Sequence, residues 1–132
     1  MSRNRTRSDQ GSASVGLVLL VVIVIAGAGL IFDGARYLSA ERHASNTAEG
    51  AARAAVATGS PSDGLQAADA RQAAVKHATA LGVPAGDVSV SFPTRDTVVV
   101  TITERRSTTF AKFAGASQIV ATAQGRARLE YS

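Results

Sequence analysis

The sequence contains no cysteine and no tryptophan, and its aromatic residues amount to two tyrosines and four phenylalanines among 132 residues. The absence of cysteine excludes disulfide bonds, thiolate catalysis and cysteine-ligated metal sites. The hydrophobic fraction of 45% consists largely of alanine and valine, so any core is thin and built from small side chains. The length is that of a single domain.

Patterns that carry catalysis or ligand binding are missing as well. The sequence has no G-x-S-x-G motif, no glycine-rich phosphate loop and no paired carboxylates. His43 and His77 have no acidic or histidine neighbour at i+3 or i+4, and we interpret both as partnerless surface side chains rather than metal ligands. The net charge is +4, but Arg105-Arg106 is the only adjacent basic pair. The sequence therefore predicts no enzyme, cofactor, metal, nucleic-acid partner or small-molecule substrate.

Charge is missing from one long segment near the N-terminus. Residues 10–32 include no ionisable side chain, and the apolar core of this segment, residues 15–32, would span about 27 Å as a helix. That length approaches the ~30 Å hydrocarbon thickness of a bilayer. A buried core helix is the competing interpretation, but a domain this small cannot surround a helix that is apolar on all faces. We therefore predict a membrane-spanning helix over residues 11–33.

The charges that flank this segment indicate its direction. Three arginines and one aspartate precede it, whereas two acids and two arginines follow it within ten residues. Basic flanks stay in the cytoplasm. A cleaved signal peptide is the alternative, but the apolar run exceeds the usual ~7–15 residues. The predicted organisation is a cytoplasmic basic tail (residues 1–10), a single membrane helix (11–33) and an extracytoplasmic domain (34–132) at the plasma membrane.

Two helices are predicted to follow the apolar segment. The first covers residues 34–58 and carries a narrow stripe of alanines, Ala44, Ala48, Ala51 and Ala55. This stripe either packs onto the chain's own sheet or forms a seam for other subunits. The second helix is predicted to begin at a cap formed by Asp63 with Gln66 and to end near Leu81. Its predicted apolar face comprises Ala67, Ala70, Ala74, Ala78 and Leu81.

Beyond Pro84 the hydrophobic period changes from 3.6 to 2, which is typical of strands. Strands are predicted at residues 88–92 and 98–103, joined by a hairpin at residues 93–96, and a third at residues 119–131 with one packed and one solvated face. The fold class predicted is α+β, with a long N-terminal transmembrane helix that continues into helices packed on a three-stranded, mainly antiparallel sheet.

A basic and aromatic cluster lies between the second and third strands. Ser107 is predicted to cap a short helix that carries Phe110 and Phe113 and is stopped by Gly115. With Arg105, Arg106 and Lys112 nearby, this segment either enters the outer membrane surface or packs as a helix on the sheet.

Five segments give the chain a family resemblance. They are Asp9-Gln-Gly-Ser-Ala-Ser-Val15, Asp33-Gly-Ala-Arg36, Ala48-Glu-Gly-Ala-Ala-Arg-Ala-Ala55, Thr109-Phe-Ala-Lys-Phe-Ala-Gly115 and Val120-Ala-Thr-Ala123. In this order, with the apolar helix between the first two, they resemble the TadE/TadG-like pilus-assembly proteins, especially the actinobacterial forms.

This resemblance implies a minor pilin or pseudopilin-like accessory of the tight-adherence (Flp type IVb) pilus or secretion apparatus, with a pilin-like helix-plus-sheet shape and other apparatus subunits as partners. The large von Willebrand-like domain of longer TadG proteins is absent, which favours a small TadE-like or TadG-N-terminal-like form. The alternative function is a single-pass anchored binding module of the cell envelope that uses its sheet as the working face.

The resemblance also implies processing by a prepilin peptidase, which would cut between Gly11 and Ser12. The glutamate that such prepilins carry at the fifth mature position is replaced here by Gly16. N-terminal sequencing of the mature protein tests this prediction, and a chain that begins at Met1 or Ser2 would contradict it.

Overall fold

The computed structural model describes residues 6–130, with side chains described from residue 11 onward. Helix α1 runs without interruption from Thr6 to Val56. It contains the predicted membrane segment and the predicted first helix of the domain in one element. The first proline of the chain is Pro61, so no residue before it lacks the backbone donor that a continuous helix requires.

Burial divides α1 into two parts. Residues 11–28, here called the stem, are exposed on all faces, and the large side chains of residues 15–25 are between 49% and 64% exposed. From residue 29 onward one stripe of α1 is buried, with the spacing of a single helical face. Its members are Gly29, Asp33, Ala40, Ala44, Thr47, Ala48, Ala51, Ala52 and Ala55. The rest of the chain therefore covers α1 only from the end of the stem to its C-terminus.

Helix α2 (Ala67–Ala80) returns along α1, since the His77 ring packs over Gly50. Ala70, Ala74 and Ala78 are buried as predicted. The predicted helix start and the outer members of the apolar face are wrong. Gln66 is the N-cap, without a side-chain cap hydrogen bond, and the ends of the predicted face, Ala67 and Leu81, are exposed.

The physical reason for the later helix start lies in the preceding turn. The backbone N–H of Asp63 donates to Ser60 Oγ at 3.1 Å, and Ser60 Oγ donates to the Asp63 carboxylate at 3.2 Å. Gly64 follows with φ of 68°, a left-handed conformation that cannot continue a right-handed helix. Asp63 is thus used in a turn instead of a helix cap.

The sheet has the order β1-β2-β3, with both pairs antiparallel. Its strands are β1 (Val88–Thr94), β2 (Thr97–Ser107) and β3 (Gln118–Arg128). Thr94 pairs with Thr97 across the predicted hairpin. Pro93 lies in edge strand β1 where the regular pairing is interrupted, as expected for a residue without an N–H donor. The predicted α+β class and all three strands are confirmed. The predicted end of the third strand is wrong, since β3 ends at Arg128 and the Leu129 N–H donates to the Asp96 carbonyl oxygen in the hairpin turn at 2.7 Å; Tyr131 lies outside the described residues.

The core forms where the sheet crosses the buried stripe of α1. Val98, Val100 and Ile102 of β2 are fully buried against it. At Gly125 of β3 a Cβ atom would overlap the backbone of α1 at Ala48, so strand and helix touch through their main chains. The four alanines of the predicted stripe are 0% exposed. In this fold they pack inside the chain and are not accessible to a second subunit.

Candidate functional site at the end of the stem

One face of α1, just beyond the stem, holds the loop between β2 and β3. Residues 29, 32, 33 and 36 have the i, i+3, i+4, i+7 spacing of neighbours on a helix surface. They meet the loop where it leaves β2 and enters a 3₁₀ turn (Ala111–Ala114). We call this contact the helix-loop lock; it comprises Gly29, Phe32, Asp33 and Arg36 of α1 with Thr109, Phe110 and Ala111 of the loop.

Asp33 is the centre of the lock. Its carboxylate accepts the backbone N–H of Thr109 at 3.0 Å on Oδ1, and those of Phe110 at 2.9 Å and Ala111 at 2.7 Å on Oδ2. The residue is only 5% exposed. An acid that binds the first N–H groups of a helical turn acts as a cap. Asp33 therefore caps a turn that lies more than seventy residues later in the chain.

The predicted cap at Ser107 is consequently wrong. Ser107 is the last residue of β2 and pairs with Gln118, so its backbone belongs to the strand. The predicted stop is correct, since Gly115 has φ of 90°, a left-handed conformation that favours glycine.

Arg36 and two aromatic rings complete the lock. Arg36 donates to Thr109 Oγ1 at 2.9 Å and to the Ser107 carbonyl oxygen at 3.3 Å. Its guanidinium lies 5.5 Å from the centroid of the Phe32 ring. The Phe32 and Phe110 rings meet edge to face with centroids 6.3 Å apart. Each of these contacts is favourable, and together they cover the polar centre at Asp33.

Gly29 lets the loop approach the helix closely. The Phe110 ring lies directly on Gly29, where any Cβ atom would overlap it. The lock thus joins two of the segments that carry the family resemblance, Asp33-Gly-Ala-Arg36 and the segment that begins at Thr109. In the sequence Asp33 is simply the first charge after the membrane helix, and no pattern there identifies its partners. One feature does indicate a packed face at this point, since Gly29, Asp33 and Arg36 share one side of the helix.

A second charged cluster joins α1 to the outer part of β2. His43 Nδ1 lies 2.8 Å from Glu104 Oε2, and Arg106 Nε donates to Glu104 Oε1 at 2.8 Å. The interpretation of His43 as a partnerless surface residue is therefore wrong. Its partner is the carboxylate of Glu104, which lies in β2, 61 residues later in the chain. Arg105 pairs with Asp87, and the cluster lines a cleft of about 380 Å³. Among the described residues no group of three or more histidine, cysteine or acidic side chains could hold a metal ion.

The surroundings of Glu104 favour its charged form. Burial by itself raises the pKa of Glu104, but hydrogen bonds from Arg106 and His43 and the charges of both outweigh it, so the pKa lies below the ordinary value of 4.5. A carboxylate whose pKa is lower in the folded than in the unfolded protein stabilises the fold. This stabilisation is fully present at a pH above the ordinary pKa of 4.5, and it is lost as the pH falls through the lower pKa of the folded protein.

Replacement Glu104→Gln is expected to lower the free energy of unfolding at pH 7 by about 1 kcal/mol, the discounted value for a charged hydrogen bond whose partners are partly exposed. The difference from the wild type should shrink as the pH falls below 4.5. Urea titrations at several pH values measure it, with Glu130→Gln as the matched exposed control. A difference that stayed constant with pH would contradict the ion-pair explanation.

The other residues that the sequence analysis proposed as sites lie in different parts of the structure. Gly11 and Ser12 lie exposed within α1, and processing between them stays a prediction. Of the basic and aromatic cluster, Arg105 and Arg106 are engaged by Asp87 and Glu104. Lys112 and Phe113 lie in the 3₁₀ turn, and both are exposed.

Comparison with known proteins gives one family match. Residues 11–58, which include the stem and the α1 half of the lock, match the family described as putative Flp pilus-assembly TadE/G-like. No curated protein and no solved structure matches the chain. The matched family is a pilus-assembly component and not a known enzyme family. The match confirms the resemblance for residues 11–58, which are similar to the TadE/G-like family.

Proposed function

We propose that this protein is a membrane-anchored minor pilin or pseudopilin-like accessory of Flp pilus assembly or secretion. Its stem would hold it in the plasma membrane, and its α+β domain would meet other subunits of the apparatus outside the cytoplasm. The observation that carries the proposal is the family match over a helix whose apolar half is left uncovered by the rest of the chain.

The exposure of the stem supports membrane anchoring. In the part of the chain that the structure describes, α1 is the one helix long and apolar enough to cross a membrane. A core helix of a soluble protein has the same composition but is mostly buried, whereas 6% of the apolar window of α1 is buried. Leaving this many large apolar side chains in water is unfavourable. A bilayer removes that cost, and the arginines before the stem favour a cytoplasmic N-terminus.

A contact surface for neighbouring subunits is proposed on α1 beyond the stem. The alanine stripe is buried in the chain's own core, so a partner needs another face. Tyr37 and Leu38 lie one turn after Asp33 and are 43% and 52% exposed. An aromatic and an aliphatic side chain uncovered on a helix that leaves the membrane provide such a face.

Deletion of the gene is expected to abolish or strongly reduce surface pili, because the protein is proposed to act in their assembly. Electron microscopy of the surface and a secretion assay measure the effect, and restoration by the wild-type gene is the control. Unchanged piliation and secretion would count against the pilus function and would favour the anchored binding module.

Site-specific crosslinking tests the orientation and the partners together. Because the chain has no cysteine, Tyr37→Cys introduces a unique thiol for a membrane-impermeant, photoactivatable maleimide applied to intact cells. We expect labelling from outside, followed by crosslinks to subunits of the pilus apparatus. Asp69→Cys, on the exposed side of α2, is the matched control and should be labelled without giving those crosslinks. Labelling only after lysis would overturn the orientation.

A further inference from the structure

We infer that the β2–β3 loop is a second membrane contact, in which Phe113 enters the interfacial layer of the membrane that the stem crosses. The inference rests on the proposed membrane anchoring and adds a lipid-binding surface to it. The lipid concerned is the phospholipid of the outward-facing leaflet around the stem.

The depth of the loop is set by its contact with α1. The Phe110 ring lies on Gly29, three residues before the end of the uncharged segment, which corresponds to about 4.5 Å along a helix axis. The uncharged segment, residues 10–32, is only slightly longer than the ~20 residues needed to cross the hydrocarbon core. If the stem spans the bilayer, the lock holds the loop at the boundary between hydrocarbon and headgroups.

The exposed side of the loop has the chemistry of that boundary. Phe113 is 86% exposed and lies in the 3₁₀ turn, three residues after Phe110. Leu30 and Ile31 of α1, beside the docking point, are 62% and 75% exposed. A single exposed phenylalanine is ordinary, but this one lies three residues after the ring that packs on Gly29 at the end of the stem.

The charge of the β2–β3 loop suits binding to phospholipid. Residues 108–118 carry one charged side chain, Lys112, and no acid. Lys112 is exposed next to Phe113, so its ammonium group can reach lipid phosphates while the ring lies among acyl chains. Asp33 holds the start of the turn that presents this pair, because it accepts the N–H groups of Thr109, Phe110 and Ala111.

Tryptophan fluorescence tests the inference, since the chain has no tryptophan of its own. Phe113→Trp is made in the full chain and reconstituted into vesicles of phosphatidylcholine and phosphatidylglycerol, with and without acyl chains brominated near the headgroup. We expect blue-shifted emission and loss of fluorescence to the brominated lipid. The substitution preserves the fold because the Phe113 ring packs against little of the protein.

Two matched variants separate the possible failures. Leu81→Trp replaces a residue that is 47% exposed and lies one turn after His77, whose ring packs over Gly50 of α1. It should emit as a water-exposed indole without quenching. Val22→Trp, in the middle of the stem, should be quenched most by bromines deep in the acyl chains. Quenched Val22→Trp with unquenched Phe113→Trp would overturn the loop contact alone. If neither were quenched, the membrane anchoring itself would be overturned.

Discussion

Replacement Gly125→Ala is expected to destabilise the α+β domain by about 3 kcal/mol, at the upper end of the range for overpacking a core. A Cβ atom at this position overlaps main-chain atoms of α1 at Ala48 and Glu49. A backbone cannot rotate away as a flexible side chain does, so helix and sheet must move apart. That separation would loosen the packing of the alanine stripe against Val98 and Val100.

The measurement is a urea titration of the full chain in detergent micelles, followed by hydrogen exchange of the β2 and β3 amides. Exchange reports the domain specifically, whereas circular dichroism would be dominated by the long helix. Gly86→Ala is the matched control, because no atom lies within 4 Å of a Cβ at Gly86, and it should change stability by less than about 0.5 kcal/mol. Equal stabilities of the two variants would show that the helix-strand contact is not tight.

Replacement Asp33→Asn is expected to release the β2–β3 loop from α1 while leaving the sheet intact. An asparagine has one acceptor oxygen, and its NH₂ group would face backbone donors that now bind Oδ2. Loss of these charge-assisted bonds should accelerate amide exchange at Thr109, Phe110 and Ala111 on the order of tenfold. Cleavage by trypsin after Lys112 should accelerate with it.

Hydrogen exchange and limited proteolysis of the full chain measure this release. Glu41→Gln changes an exposed acid on the same helix and should leave both rates unchanged. If Asp33→Asn exchanged like the wild type at the three loop amides, the lock would depend on its aromatic contacts and not on the carboxylate.

These two variants act at two levels of the same contact between α1 and the sheet. Gly125 lies where β3 touches α1 at Ala48, and Asp33 lies where the loop before β3 reaches the end of the stem. From Gln118 to Gly125 the strand advances about 23 Å, close to the distance of about 22 Å from Asp33 to Ala48 on the helix. The strand thus follows the helix axis, and the lock fastens its stem-proximal end.

Local patterns were enough to predict most of the fold. The charge-free segment indicated the stem, the helical period indicated α2, and the alternation after Pro84 indicated the three strands. These signals are local because a helix or strand face repeats within a few residues. The predicted start of α2 is a few residues too early. The Asp63 backbone donates to Ser60 in a turn, and Gly64 has a positive φ, so the helix begins only after them.

The candidate site was much less predictable. Asp33 and His43 were recognised as charged or titratable residues, but their partners lie 76 and 61 residues away. Such contacts depend on the rotation of α1 against the sheet and on the register of β2 with β3. Neither quantity repeats along the sequence, so no local pattern reports it.

By itself the sequence determined a long helix with an uncharged, apolar segment, a second helix and an antiparallel sheet, because charge and hydrophobic period act over neighbouring residues. Only the tertiary structure decided what covers each face. It placed the alanine stripe in the chain's own core, gave the 3₁₀ turn a cap from Asp33 and left the stem and Phe113 uncovered. The physical reason is that burial and hydrogen bonding between distant segments depend on three-dimensional packing, which local spacing does not specify.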